Sequence, residues 1–122
     1  MAQRKIAWLE IFAKDRAVLA DFYGELFGFE STDFADMNYT TLTTGNSDAG
    51  FGIGIGQSTE ENPGATTIYI TSSDLEADLK AIKAKGGTVM VEPMDVPNVG
   101  RMAFFKDPAG NFMALGDFVP ME

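Results

Sequence analysis

Between Ile6 and Ala13 the chain alternates, with Trp8, Glu10 and Phe12 on one side and Leu9 and Ile11 on the other, which predicts a half-buried strand. Asp15 follows as a candidate helix N-cap. Leu19, Phe22, Tyr23 and Leu26 then recur at helical spacing as an apolar stripe, and Gly28 stands where a helix would stop. The same pattern returns later. Thr66 to Thr71 alternates as a strand, with Ile68 and Ile70 on one face and Thr67, Tyr69 and Thr71 on the other. Asp74 is the second candidate cap, Leu75, Leu79 and Ile82 form the second stripe, and Gly86-Gly87 ends it. The copies superimpose without a gap at an offset of 59 residues, so that Trp8 meets Thr67, Asp15 meets Asp74 and Gly28 meets Gly87.

Strand-like runs follow each helix. They are Met37 to Thr43 and Phe51 to Gly56 in the first half, separated by the turn Thr44 to Asp48. In the second half they are Thr88 to Val91, Arg101 to Phe105 and Phe112 to Leu115, with Asp107-Pro108-Ala109-Gly110-Asn111 as a hairpin turn. Taken as a repeat, each half reads β-α-β-β-β, with two of the three closing runs visible in the first half. The polar stretch Gln57 to Gly64 connects a first module of residues 1–57 to a second of 65–122. Alone, each would be about 60 residues with one uncovered sheet face, so a single domain over residues 1–122 is expected.

Composition narrows the chemistry. A hydrophobic fraction of 45% with ten Phe residues can fill a core, and no apolar run approaches the ~18 residues needed to span a bilayer. The N-terminus has two basic residues but no apolar stretch behind them, so no export signal is read and a cytoplasmic location is expected. A net charge of −9 argues against nucleic-acid and anionic-membrane partners and is compatible with a cationic small molecule. Cysteine and histidine are both absent, which removes disulfides, thiol nucleophiles, Ser-His triads and zinc fingers together. Any metal would need oxygen ligands alone, and acid–base chemistry would fall to Asp, Glu, Tyr or Lys.

Two phrases stand out: Phe22-Tyr23-Gly24-Glu25-Leu26-Phe27-Gly28-Phe29 after the Trp8-Leu9-Glu10-Ile11 strand, and Phe105-Lys106-Asp107-Pro108-Ala109-Gly110-Asn111 near the end. With the paired modules, they resemble the vicinal oxygen chelate superfamily of glyoxalases, bleomycin-resistance proteins and extradiol dioxygenases. The resemblance implies an α+β fold in which two β-α-β-β-β modules pair into a cupped mixed sheet. It also implies a homodimer, and in metal-using members four His, Glu or Gln ligands on the first and fourth strands of each module. Carried over, those positions fall on Trp8, Thr67, Ala114 and a residue within Phe51 to Gly56, none of them suited to hold the usual metal. The expectation is a protein with no metal and no cofactor that binds a small organic molecule, as in drug or toxin sequestration. A lyase, isomerase or dioxygenase of the same superfamily and a structural or regulatory dimer without ligand are the alternatives.

Within the implied cup, Trp8, Phe12, Tyr39 and Tyr69 are candidate walls for a planar or cationic ligand, or simply core or dimer interface. Glu10 shares the face of Trp8, and a carboxylate there must be paired or protonated; Arg101 is its expected partner, in a ligand-binding or a bracing role. Gly52-Ile53-Gly54-Ile55-Gly56 fails as a dinucleotide fingerprint, since the third glycine is misplaced and no helix follows. As a strand its bare face, with Gly52 and Gly54, either opens volume for a ligand or admits close packing. Glu60-Glu61 and the Asp74, Glu76, Asp78 group read as solvated charge and as complements to a helix dipole.

Overall fold

The computed structural model describes residues 3–45 and 52–118. Among them are eight strands and two helices: β1 (Ile6–Ala13), α1 (Arg16–Phe27), β2 (Glu30–Phe34), β3 (Tyr39–Thr43), β4 (Gly52–Gln57), β5 (Thr67–Thr71), α2 (Leu75–Ala84), β6 (Thr88–Val96), β7 (Gly100–Lys106) and β8 (Phe112–Phe118). The chain forms two compact units. One is Trp8–Thr67; the other joins the chain up to Ala7 with the chain from Ile68 onward.

In the first unit the strands run in the order β2-β3-β4-β1, a meander whose last strand lies parallel to β1. In the second unit the order is β6-β7-β8-β5, again a meander ending parallel to the strand that precedes the helix. The β-α-β-β-β repeat read from the pattern is thus the topology of both units, and the fold is of the α+β glyoxalase/bleomycin-resistance kind.

Local chemistry explains the helix limits. The Asp15 carboxylate accepts from the Val18 N–H at 3.2 Å and the Asp74 carboxylate from the Ala77 N–H at 3.0 Å, each satisfying a donor that the first helical turn leaves open. Gly28, at φ 75°, closes α1 in the left-handed region, where a side chain would be strained. Leu75 and Leu79 of α2 pack on Ala103, Phe105 and Leu115, with Ile70, Ile82, Val89 and Met113 around them. Ala20 of α1 packs on Leu42 and Ile55, with Ile11, Leu19, Tyr23 and Phe29 around them. The expected α1 stripe is split: Leu19 and Tyr23 join the core, whereas Phe22 and Leu26 stay more than half exposed.

Several boundaries differ from the pattern. The run expected from Met37 begins as a 3-10 turn over Ala35–Met37, and Asn38, at φ 50°, turns the chain into β3. A strand missed altogether, β2, has all five residues exposed, so it has no apolar alternation to betray it. Strand β6 extends to Val96 through two irregularities, around Val89/Val91 and Val91/Met94, which accommodate Pro93 where regular pairing cannot. The hairpin at Asp107 is as expected: its carboxylate accepts from the N–H groups of Ala109 and Asn111, and Gly110 takes φ 91°. Asn46 to Asp48 of the other predicted turn, and Phe51, lie outside the described residues. No helix among the described residues is long and apolar enough to cross a membrane.

Candidate functional site

Strand alternation decides which side chains share a face. In the first unit, Ile11 and Ile53 pack toward α1, so Trp8, Glu10 and Phe12, and opposite them Gly52, Gly54 and Gly56, face the other way. The parallel register pairs Trp8 with Gly52, Glu10 with Gly54 and Phe12 with Gly56. Antiparallel pairing brings Tyr39 beside Gly56. Three rings therefore lie across a strip of glycines. A Cβ at Gly52 would stand 2.3 Å from the Trp8 ring, one at Gly54 only 1.7 Å from the Tyr39 hydroxyl, and one at Gly56 2.5 Å from the Phe12 ring. Gly64, at φ 75°, approaches the same Phe12 ring. The bare glycine face thus makes room for aromatic side chains of its own unit, which corrects the expectation that Gly52 and Gly54 open volume for a ligand.

Polar atoms on this floor are arranged in a line. The Trp8 indole N–H donates to the Tyr39 hydroxyl oxygen at 2.7 Å, and the Tyr39 O–H donates to Glu10 Oε2 at 2.8 Å. The indole can only donate, so the tyrosine hydrogen is directed onto the carboxylate. That fixes one Glu10 oxygen as an acceptor, among rings that are themselves half-buried. Such a carboxylate can receive an ammonium or amine N–H while the rings meet a flat or cationic surface.

Arg101 is not the partner of this carboxylate. It shares strand parity with Ala103 and Phe105, which pack on α2, so it stands on the helix-covered face of its unit, whereas Glu10 stands on the face away from α1. Its guanidinium forks onto Glu76 at 2.7 and 3.2 Å, with Asp95 at 3.6 Å. The bond from Arg101 holds the exposed Glu76 carboxyl below its usual range. The expected Glu10–Arg101 pair is therefore replaced by surface pairing at the start of α2.

Tyr69 lies in an aromatic layer of the second unit, its ring centroid 6.0 Å from Phe104 and 6.1 Å from Phe118, with Phe104 stacked on Phe112 at 5.5 Å. Here too a glycine lies under a ring: a Cβ at Gly116 would be 2.2 Å from Phe118. Phe104, Phe112 and Phe118 were not singled out from sequence. Their parity with Tyr69 through the pairing of Tyr69, Ala114 and Phe104 is the signal, and it needs the register of three strands.

The positions that carry the superfamily's metal do not fit one in this chain. Trp8 offers only an N–H donor, and the Thr67 hydroxyl is turned to the Ala65 carbonyl at 2.7 Å. Ala114 is buried without a ligating atom. Strand β4 runs one residue further than expected, to Gln57, but that side chain accepts from Arg16 Nε and donates to backbone carbonyls. Among the described residues no three His, Cys, Asp or Glu side chains gather at one point. Two open hollows of the first unit lie beside α1: one of about 380 Å³ around Arg16, Asp33, Thr40 and Gln57, and an apolar one of about 330 Å³ around Ala13, Val18, Leu19 and Phe22.

The repeated fold and the strand positions just described define a class, and residues 5–115 match the model of the Glyoxalase/Bleomycin resistance protein/Dioxygenase superfamily. The chain belongs to that superfamily. It is 34% identical to the anthracycline biosynthesis protein DnrV of Streptomyces peucetius over 89% of this chain and 45% of that protein. The chain thus spans less than half the length of the curated relatives it matches. Among solved structures it resembles a hypothetical protein, BH1468, from Bacillus halodurans (TM-score 0.74, 16% identity, 99% of each chain). It also resembles methylmalonyl-CoA epimerase from Mycobacterium tuberculosis (TM-score 0.65, 17% identity, 94% of this chain and 88% of that one). At these identities the structural likeness shows the fold.

Proposed function

We propose that this protein is a metal-free binder of a small organic molecule, held on the ring floor of the first unit with its cationic group at Glu10. The observation that carries this reading is the line from Trp8 through Tyr39 to Glu10, laid over Gly52 and Gly54. Flat rings without protruding Cβ atoms suit a planar ligand, and each ring–cation contact adds about 0.5–2 kcal/mol. Trp8, Glu10, Phe12 and Tyr39 are the ligand contacts, Gly52 and Gly54 support them, and Arg101 has no part. Tyr69 is buried against Phe104 and Phe118 and has no part in the ring floor. The name of the Streptomyces relative, an anthracycline biosynthesis protein, supports a ligand of the fused-ring aromatic kind. Sequestration of such a compound is the role that fits, in the cytoplasm.

Trp8 is the only tryptophan, so its emission reports the floor directly. Titration with planar aromatic amines and their uncharged isosteres should quench Trp8, the amines binding more tightly, and Glu10→Gln should weaken the amines about tenfold while sparing the isosteres. Equal binding of both sets would remove Glu10 from the reading. Stoichiometric divalent metal in protein purified without chelators would overturn the metal-free assignment. A second reading rests on the Tyr39–Glu10 bond, which is a proton donor–acceptor pair able to serve an isomerase or lyase. Chromatography of the bound compound distinguishes the two: a binder returns it unchanged.

A further inference from the structure

The helix-covered face of the first unit differs from its repeat at the start of the helix. In α2 the counterparts of Arg16 and Ala20, at the 59-residue offset, are Leu75 and Leu79. Both leucines are buried and fill the space between helix and sheet. In α1 a guanidinium and a methyl group take their places, and both residues line the polar hollow of about 380 Å³. The fold itself does not require a cation there, since the second unit is closed by apolar packing. Drawing a guanidinium out of water carries a desolvation cost that a leucine avoids, so the polar version calls for a role.

The guanidinium is held from three sides. Arg16, its side chain 14% exposed, donates from Nε to Gln57 Oε1 at 3.0 Å and from Nη1 to Thr40 Oγ1 at 2.9 Å and to Asp33 Oδ1. The Thr40 hydroxyl donates in turn to Asp33 Oδ1 at 2.9 Å, and Gln57 Nε2 donates to the Lys14 carbonyl at 2.9 Å. Thr40 is buried and shares strand parity with Leu42 of the core, whereas Tyr39 faces the ring floor, so the two sites lie on opposite faces of one sheet. Arg16 Nη2 is left over: among the described residues nothing accepts from it, and nothing donates to Asp33 Oδ2. The Asp15 carboxylate is engaged in capping the helix, but Lys14 and Asp21 add one exposed charge of each sign to the wall.

Both signs of charge therefore face the hollow. A plain anion would meet Arg16 and Lys14 but also Asp21 and Asp33, in a chain of net charge −9. A plain cation would leave the Nη2 hydrogens unmet. A zwitterion answers both, with a carboxylate on Nη2 and an ammonium group beside the two aspartates. We propose that this hollow is a second binding site, for a free α-amino acid, its carboxylate received by Arg16 and Lys14 and its ammonium group by Asp21 and Asp33. The site does not depend on the ring floor or on what binds there.

Isothermal titration and thermal unfolding of the full chain with the standard free α-amino acids test it. At least one should bind and raise the unfolding midpoint without altering Trp8 emission. Its N-acetyl derivative and its methyl ester, each lacking one charge, should bind about tenfold more weakly. Arg16→Leu, which installs the residue that α2 uses at this position, should abolish binding. Asp21→Asn, a change on the exposed rim, should weaken binding about tenfold and leave the unfolding midpoint of the free protein unchanged. A saturating planar aromatic amine should not displace the amino acid. Failure of every amino acid to bind, equal binding of the acetylated or esterified form, undiminished affinity in Asp21→Asn or Arg16→Leu, or displacement by the amine would overturn the proposal.

Discussion

Gly54 holds the tightest point of the aromatic floor, with the Tyr39 hydroxyl and the Trp8 indole nitrogen both occupying space that a methyl group would need. Gly54→Ala should therefore displace two rings together, lowering the unfolding free energy by about 1–3 kcal/mol and shifting Trp8 emission. Gly28 is a control of a different kind: open space surrounds it, but its φ of 75° strains any side chain. Gly28→Ala should cost about 1 kcal/mol through backbone conformation alone and leave the emission unchanged. Urea titration followed by Trp8 fluorescence measures both. If Gly54→Ala were silent, the rings would be free to move off the glycines, and the floor would not be the fixed surface described. At this scale the sequence showed the alternating glycines but not what lies over them, since Tyr39 reaches Gly54 from another strand.

At the scale of elements, the helices are where local chemistry and tertiary structure agree. The aspartate caps recur at the repeat offset and make equivalent bonds, so Asp15→Ala and Asp74→Ala should each cost about 1 kcal/mol in urea denaturation. Neither should change ligand titration, because neither cap belongs to the ring floor. The strands were less legible. Strand β2 is exposed throughout and is tied down by Asp33, which accepts from Arg16 of α1 and from Thr40 of β3. A strand held by side chains from two other elements leaves no periodic trace of its own. The α1 stripe misled in the opposite direction. Its four apolar positions at helical spacing suggested one buried face, yet Ala20 takes the centre of the contact and Phe22 and Leu26 are left outside.

Across the whole molecule, the chain's first residues belong to the unit that begins at Ile68. Arg4 pairs with Asp78 of α2, and the Thr71 N–H donates to the Lys5 carbonyl at 3.0 Å. The bond from Arg4, joined by one from the Ser72 hydroxyl, holds the Asp78 carboxyl below its ordinary 3.8. A depressed native pKa contributes stability that is complete above the unfolded value and is lost as pH falls through the lower native one. Acid unfolding below about pH 4 should therefore be shallower in Asp78→Asn than in the parent, and Arg4→Ala should show the same change. Identical acid limbs in all three would detach the N-terminal segment from this role. By itself the sequence determined the repeat, its caps and turns and the resemblance to the superfamily, because strand alternation, capping chemistry and residue type are local properties. Only the tertiary structure decided that the glycines carry the rings of Trp8, Tyr39 and Phe12, that Glu10 is bonded by Tyr39, and that Arg101 lies on the helix-covered face with Glu76. Those facts depend on which residue of one strand stands beside which residue of another, and register between strands is not written in the periodicity of either.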